Sequence, residues 1–397
     1  MNRRLLIVMA ILSLGAGKVV AEQEPLKVYI LVGQSNMQGH AQIRTFEHIG
    51  MDPKTAPLLL EMQGEDGMPK VCDRVWISYL SSGGEKQGRL SAGFGADSNK
   101  IGPEFTFGIT MQKILDEPIL IIKTAWGGKS LHTDFRPPSA GPYQFNETQI
   151  EQFTKQGKDL EAIKADKLIA TGHYYRQTID HVKKVLADIK QVYPDYDPRQ
   201  GYDLAGLVWF QGWNDMVDRG TYPTRDQPGG YDQYSEVLAH FIRDVRKELS
   251  SETLPVVIGV MGAGGPVEQY LPDQQRYAST HRNFRIAMAK VAGLPEFEGN
   301  VANVLTEAYW DQELTRLRAR EAAIKQKLKQ SLSDRELSRE ESKAAEEEAF
   351  AEAFTDRERK VLETGVSNAE FHYLGSAKIM AQIGKGFAEA LADMKTN

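Results

Sequence analysis

Ser35 stands in Gly33-Gln34-Ser35-Asn36-Met37, directly after the apolar run Val28-Tyr29-Ile30-Leu31-Val32. A short β-branched run ending in glycine predicts a buried strand feeding a tight turn. The carboxyl edge of a sheet is where α/β proteins hold their ligands. Ser35 is therefore a candidate nucleophile, or else the N-cap of a following helix. A serine hydroxyl is barely acidic, so ester chemistry also needs an imidazole to take its proton and donors for the oxyanion. Two of the eight histidines stand out. His372 lies in Glu370-Phe371-His372-Tyr373-Leu374-Gly375, just before an amphipathic C-terminal helix, and His132 follows Gly127-Gly128-Lys129-Ser130-Leu131. His173, His181 and His240 fall on helical patterns and read as surface or packing residues.

Candidate oxyanion donors come next. In Gly102-Pro103-Glu104, glycine offers an unobstructed N–H, proline suits a first helical position and glutamate complements the helix dipole. An ordinary helix start accounts for the same tripeptide. Gln211 ends the run Ala205–Phe210 and opens Gln211-Gly212-Trp213-Asn214-Asp215. An amide at the end of a buried strand needs partners, and its side chain can point to the centre that holds Ser35. Trp126, Trp213 and Trp310 occupy loops that follow strand candidates. Aromatic faces stack on the C–H faces of sugars, although two of the three serve equally well as packing residues. Asn36, Trp126, His132, Trp213 and Asp215 form the expected substrate-facing set.

Four motifs in order, Gly33–Met37, Ile101-Gly102-Pro103-Glu104, Trp209–Asp215 and His372 with its flanks, resemble the SGNH hydrolase superfamily. More narrowly they resemble the sialate O-acetylesterase-like carbohydrate acetylesterases. The resemblance implies Ser35 as nucleophile and His372 as base, since it precedes the last helix. It implies the Ser35 N–H, the Gly102 N–H and the Gln211 amide as oxyanion donors, with no cofactor and no metal. It also implies an acetylated carbohydrate as substrate, with non-sugar esters or sugar binding without turnover as alternatives. The superfamily places aspartate three residues before the histidine, where this chain has Ala369. Glu370 is the nearest carboxylate. Either Glu370 orients His372, completing a Ser-His-Glu site, or a backbone carbonyl does so and the site is a dyad. Trp213 also replaces a glutamate that family members often carry, while Asp215 keeps the last acidic position.

These residues need a scaffold. Val28–Val32, Pro118–Lys123, Ala205–Phe210, Pro255–Met261 and Val301–Thr306 read as strands buried on both faces. Helical patterns lie between them, such as Tyr175, Ile179, Val182, Leu186 and Ile189 on one face. The expected fold is a three-layer α/β/α sandwich, flavodoxin-like, around a five-stranded parallel sheet. Residues 134–167 read as a long loop near the site. Residues 312–363 are dense in Glu, Lys, Arg and Ala with a thin apolar stripe. They predict a charged helical insertion, a helix pair broken near Ser331–Asp334, with a solvated face lacking a partner as the alternative.

The chain has 397 residues, 41% hydrophobic and 26% charged, with a formal net charge of −6. That balance is globular and gives no footprint for nucleic acid or an anionic membrane. The single cysteine, Cys72, excludes an internal disulfide. Asn2-Arg3-Arg4, the apolar stretch Leu5–Leu14 and Val19-Val20-Ala21 predict a signal peptide over residues 1–21. An exported, periplasmic or extracellular esterase domain over 22–397 is expected.

Overall fold

The structure, a computed structural model, describes residues 24–331 and 338–396. The expected signal peptide lies outside the described residues. Among the described residues nine strands form: β1 (Leu26–Gly33), β2 (Ala41–Gln42), β3 (Val75–Ser81), β4 (Gly84–Arg89), β5 (Lys100–Ile101), β6 (Ile119–Ala125), β7 (Tyr202–Phe210), β8 (Val256–Val260) and β9 (Val301–Leu305). The main sheet has seven strands in the order β4-β3-β6-β1-β7-β8-β9, and β2 and β5 pair separately. The five expected strands, β6-β1-β7-β8-β9, are contiguous and parallel within it. The expected count was short by two. β3 runs parallel to β6, and β4 turns back antiparallel at the edge. β4 reads GEKQGR and is mostly exposed, so it carries no apolar pattern to read. A charged edge also blocks pairing with other chains.

Among the helices, α1 (Ser35–Gln38) follows β1 and α2 (Glu104–Ile114) precedes β6. Between β6 and β7 lie α3 (Glu147–Lys155), α4 (Leu160–Ala170) and α5 (His173–Ala187). α6 (Asp232–Glu248) follows β7, and α7 (Ala278–Ala289) follows β8. After β9 come α8 (Gln312–Ser331), α9 (Arg339–Ala353), α10 (Asp356–Gly365) and α11 (Ala377–Thr396). Alternation along β7 shows the two covered faces. Trp209 packs on Phe241 of α6 and edge-on to Phe135, whereas Phe210 packs on Phe387 of α11. Helices on both faces explain why β1 is buried along nearly its whole length.

Residues 134–167 are not the expected structureless loop, since they contain α3 and most of α4. The signals are caps. The Asn146 side chain accepts from the Gln149 N–H, and the Gln149 side chain returns to the Asn146 N–H. Asp159 caps α4 in the same sense. The charged segment 312–363 folds as α8, α9 and α10. Leu314, Leu317 and Val361 are buried at its base. Lys325 and Glu346 pair between α8 and α9. The expected break falls largely on residues 332–337, outside the described residues.

Candidate active site

Register places the site. Gly33 at the end of β1 pairs with Ala125 of β6 on one side and Phe210 of β7 on the other. The loops after all three strands therefore open at one sheet edge. A Cβ on Gly33 would lie 2.1 Å from the Phe210 carbonyl oxygen, so only glycine allows this approach. α1 is a single turn that begins with Ser35, which is 7% exposed. It ends at Gly39, where φ is +90° and a Cβ would lie 2.0 Å from the Gly102 Cα. The two glycine backbones are in contact at the end of the turn that Ser35 opens.

A buried ion pair fixes that contact. Lys123 of β6 is fully buried and its Nζ donates to Glu104 Oε2 at 2.6 Å, to the Gln38 carbonyl at 2.9 Å and to the Phe94 carbonyl at 2.8 Å. Glu104 Oε1 accepts the Gly102 N–H at 2.8 Å. Burial pushes the Glu104 carboxyl up and the Lys123 ammonium down, and the mutual attraction of the two opposes both shifts. The Gly102 N–H is thus committed to Glu104.

His372 sits in a turn of unusual backbone. Tyr373 and Leu374 have φ of 51° and 62°, and Gly375 follows at 56°. Left-handed non-glycine residues cost on the order of 1–3 kcal/mol each and persist only where the surroundings impose them. Here the Tyr373 hydroxyl, fully buried, accepts the Gly262 N–H at 2.8 Å and bonds Thr306 Oγ1 at 2.6 Å. Asn36 Nδ2 donates to the Phe371 carbonyl at 3.1 Å and ties the turn to α1. The Asn36 Oδ1 is buried without a partner.

Asn368 Oδ1 lies 2.8 Å from His372 Nδ1 and also accepts the Ala369 N–H at 2.7 Å. An acceptor at Nδ1 puts the imidazole proton there and leaves the Nε2 lone pair free. Burial, reinforced by Lys100, lowers the His372 pKa to about 4, so the ring is a neutral base at pH 7. Its face lies on His40, with ring centroids 4.0 Å apart and planes 4° from parallel. Glu370 is not brought to His372. Its carboxylate accepts from Gln274 Nε2 at 3.0 Å, and burial raises its pKa. Ser35 Oγ and His372 share no hydrogen bond. Such contacts commonly tighten only when substrate is bound.

Two glutamines border Ser35. Gln34 Oε1 accepts from the N–H of Gly212 and Asn214 and from Gln211 Nε2. That orients its Nε2 toward Asn214 Oδ1 at 3.0 Å and Ser35 Oγ at 3.5 Å. Gln211 is fully buried, and its Nε2 faces Asp215 Oδ2 at 2.6 Å, the Lys129 carbonyl at 2.9 Å and Gln34 Oε1 at 3.1 Å. Asp215, also fully buried, takes four donors: the N–H of Leu131 and of His132, Gln211 Nε2 and the Tyr222 hydroxyl. It ties the loop after β7 to the loop after β6 and has no surface for substrate.

The remaining expected contacts separate. Trp126 is 3% exposed and packs on Tyr174 and Phe135. Trp310 is buried against Tyr373. His132 is buried, with Nε2 3.1 Å from Asp218 Oδ2 and Nδ1 2.7 Å from Thr133 Oγ1. Burial pushes the Asp218 carboxyl up, but the bonds from His132 and Thr221 outweigh it and hold the pKa well below the usual range. Trp126 borders a separate cavity with Tyr174 and Gln177, whereas Trp213 opens to the one that Phe371 lines. It packs on Phe371 at 5.6 Å, and the two rings border a cleft of about 520 Å³ that also holds Tyr270, Tyr277, Gln274 and Glu370. Among the described residues no cluster of His, Cys, Asp and Glu could hold a metal ion, and no helix is long and apolar enough to cross a membrane.

Gln34, His40 and Asn368 are site residues that sequence reasoning did not single out. Gln34 stands in the Ser35 motif and His40 three residues beyond it, so proximity was a usable signal. For Asn368 there was none, because a polar residue ahead of an irregular turn carries no pattern that points it at the ring.

A family model described as carbohydrate esterase, sialic acid-specific acetylesterase, matches residues 25–302. The match includes Ser35, Gly102 and Gln211 and ends before His372. Among solved structures, the chain is similar to XAC1771, a carbohydrate acetylesterase from Xanthomonas citri. Identity is 15%, over 70% of this chain and 49% of that one, with a TM-score of 0.39. The chain therefore spans about half the length of XAC1771. The Arabidopsis thaliana protein AT4G34215 is 15% identical over 71% of this chain and 86% of its own, with a TM-score of 0.38. NanS is 13% identical over 71% and 78%, with a TM-score of 0.35. No curated protein matches the chain.

Proposed function

Because the chain belongs to the sialic acid-specific acetylesterase family of carbohydrate esterases, we propose that it hydrolyses O-acetyl esters of carbohydrates with Ser35 as nucleophile and His372 as base. The observation that carries the reading is the junction of two distant segments. Ser35 opens the turn after β1, and the neighbouring Asn36 holds the turn on which His372 presents a free Nε2.

In this reading Ser35 Oγ attacks the acetyl carbonyl carbon while His372 Nε2 takes the hydroxyl proton. The resulting imidazolium keeps its Nδ1–H on Asn368 Oδ1. Collapse of the tetrahedral intermediate breaks the bond to the sugar oxygen, which leaves with the proton from Nε2. Water then repeats the sequence on the acetyl-serine and releases acetate. The oxyanion is held by the Ser35 N–H, which makes no other hydrogen bond among the described residues, and by Gln34 Nε2 beside Oγ. Gly102 and Gln211 support this arrangement from beneath, since their N–H groups already have partners. The sugar occupies the cleft beside Trp213 and Phe371. The N-terminal segment exports the enzyme.

The test is Ser35→Ala, assayed on 4-nitrophenyl acetate and on an acetylated sugar. Loss of acetate release with an unchanged circular dichroism spectrum is expected. Turnover comparable to the parent would overturn the serine mechanism.

A further inference from the structure

We propose that His40 is a positioning residue for the reaction, a flat plate that holds the His372 ring in its working plane and shields it from water. The inference rests on the hydrolytic reading above. The two imidazoles stack face to face, with planes within 4° of parallel and centroids 4.0 Å apart. Among the described residues no ring nitrogen of His40 has a hydrogen-bond partner, and its contact with the site is made through its face. The backbone holds that face in place. His40 follows Gly39, whose φ of +90° turns the chain back under α1, and its carbonyl accepts the Ser367 hydroxyl at 3.3 Å. One short segment thus carries the nucleophile, the oxyanion amide and the plate on which the base rests.

The arrangement acts on the base in two ways. Asn368 fixes one edge of His372, but a single hydrogen bond leaves the ring free to rock about it. Stacking removes that freedom and directs Nε2. Stacking also excludes water from one face of the ring. The groups facing the pair are Lys100 of β5 with its partner Asp97, Lys123 of β6, and Asn368. Burial, then His372 and Lys100, lower the His40 pKa to about 4. His40 is therefore uncharged when His372 becomes an imidazolium, and a neutral ring face attracts that cation.

The experiment compares His40→Ala, His40→Leu and His40→Phe on 4-nitrophenyl acetate across pH, with thermal unfolding as a check on folding. The alanine and leucine variants should lose about tenfold in kcat with KM within about twofold. The acid limb of their kcat/KM profile should move from near pH 4 toward the ordinary imidazole value of about 6.5, because water reaches the base. Phenylalanine keeps the plate and should restore kcat to within about threefold, with the acid limb near its parental position. Should alanine unfold the protein, leucine and phenylalanine carry the comparison. An acid limb that stays put in the non-aromatic variants overturns the inference, as does a phenylalanine variant no better than leucine. Failure of the hydrolytic reading shows separately, as activity that survives Ser35→Ala.

Discussion

At the residue scale, the ring of His372, the proposed base, meets an amide where either the Glu370 carboxylate or a backbone carbonyl was expected. An Asn368 side chain fixes the tautomer of His372 but brings no negative charge to stabilise the imidazolium, so it contributes less than a triad acid. Asn368→Ala should lower kcat by about 10–100-fold, as loss of an orienting partner does. Glu370→Gln should change kcat on a small acetate ester by less than about threefold, since the Glu370 carboxylate meets Gln274. Steady-state kinetics on both variants decide between the two side chains, and a larger loss at Glu370 would reverse their roles. Ser35 was legible because its signal is contiguous: strand, glycine, serine. Asn368 was not, because it stands just ahead of the short irregular turn Glu370–Gly375, where no apolar pattern marks which side chain meets the ring.

At the scale of elements, β1, β6 and β7 deliver the site through one shared register row, and Lys123 locks α1 onto that row. Removing one partner of a buried pair leaves an uncompensated charge, at about 3–5 kcal/mol. Lys123→Met should therefore lower unfolding stability by that amount in urea titration. Combining it with Glu104→Leu should recover part of the loss, because the orphaned carboxylate is gone. A single variant as stable as the parent would mean that the pair does not hold the elbow. Five of the six parallel strands were readable because burial on both faces demands continuous apolar runs, whereas β3, VWISYLS, interrupts its run with serine. β4 was not, for the reason that makes it a good edge: its side chains meet water. α3 and α4 were hidden too, because exposed helices are written in caps rather than in apolar stripes.

At the scale of the whole molecule, two predictions concern stability and modularity. His40, His281 and His372 each have a pKa lowered to about 4, burial being the first cause in every case. The unfolded chain binds protons at these rings from about pH 6.5 downward, and the folded chain does not until about 4. Their contribution is thus complete above about 6.5 and is lost as pH falls toward 4. Urea midpoints should decline across that window, and removing all three histidines should flatten the decline. Replacing residues 324–349 with a short Gly-Ser linker should spare hydrolysis of a small ester, because the buried anchors Leu314, Leu317, Phe354 and Val361 remain. Loss of the folded state would show that the charged helices hold up the sheet. A last consequence follows from the bond between Asn36 and Phe371, which joins groups 335 positions apart. A ribosome makes Ser35 hundreds of residues before His372. If the proposed roles hold, every copy that stops short of His372 is a serine with nothing to take its proton. Hydrolytic activity would then certify that translation had passed His372 and that the two segments had closed upon each other.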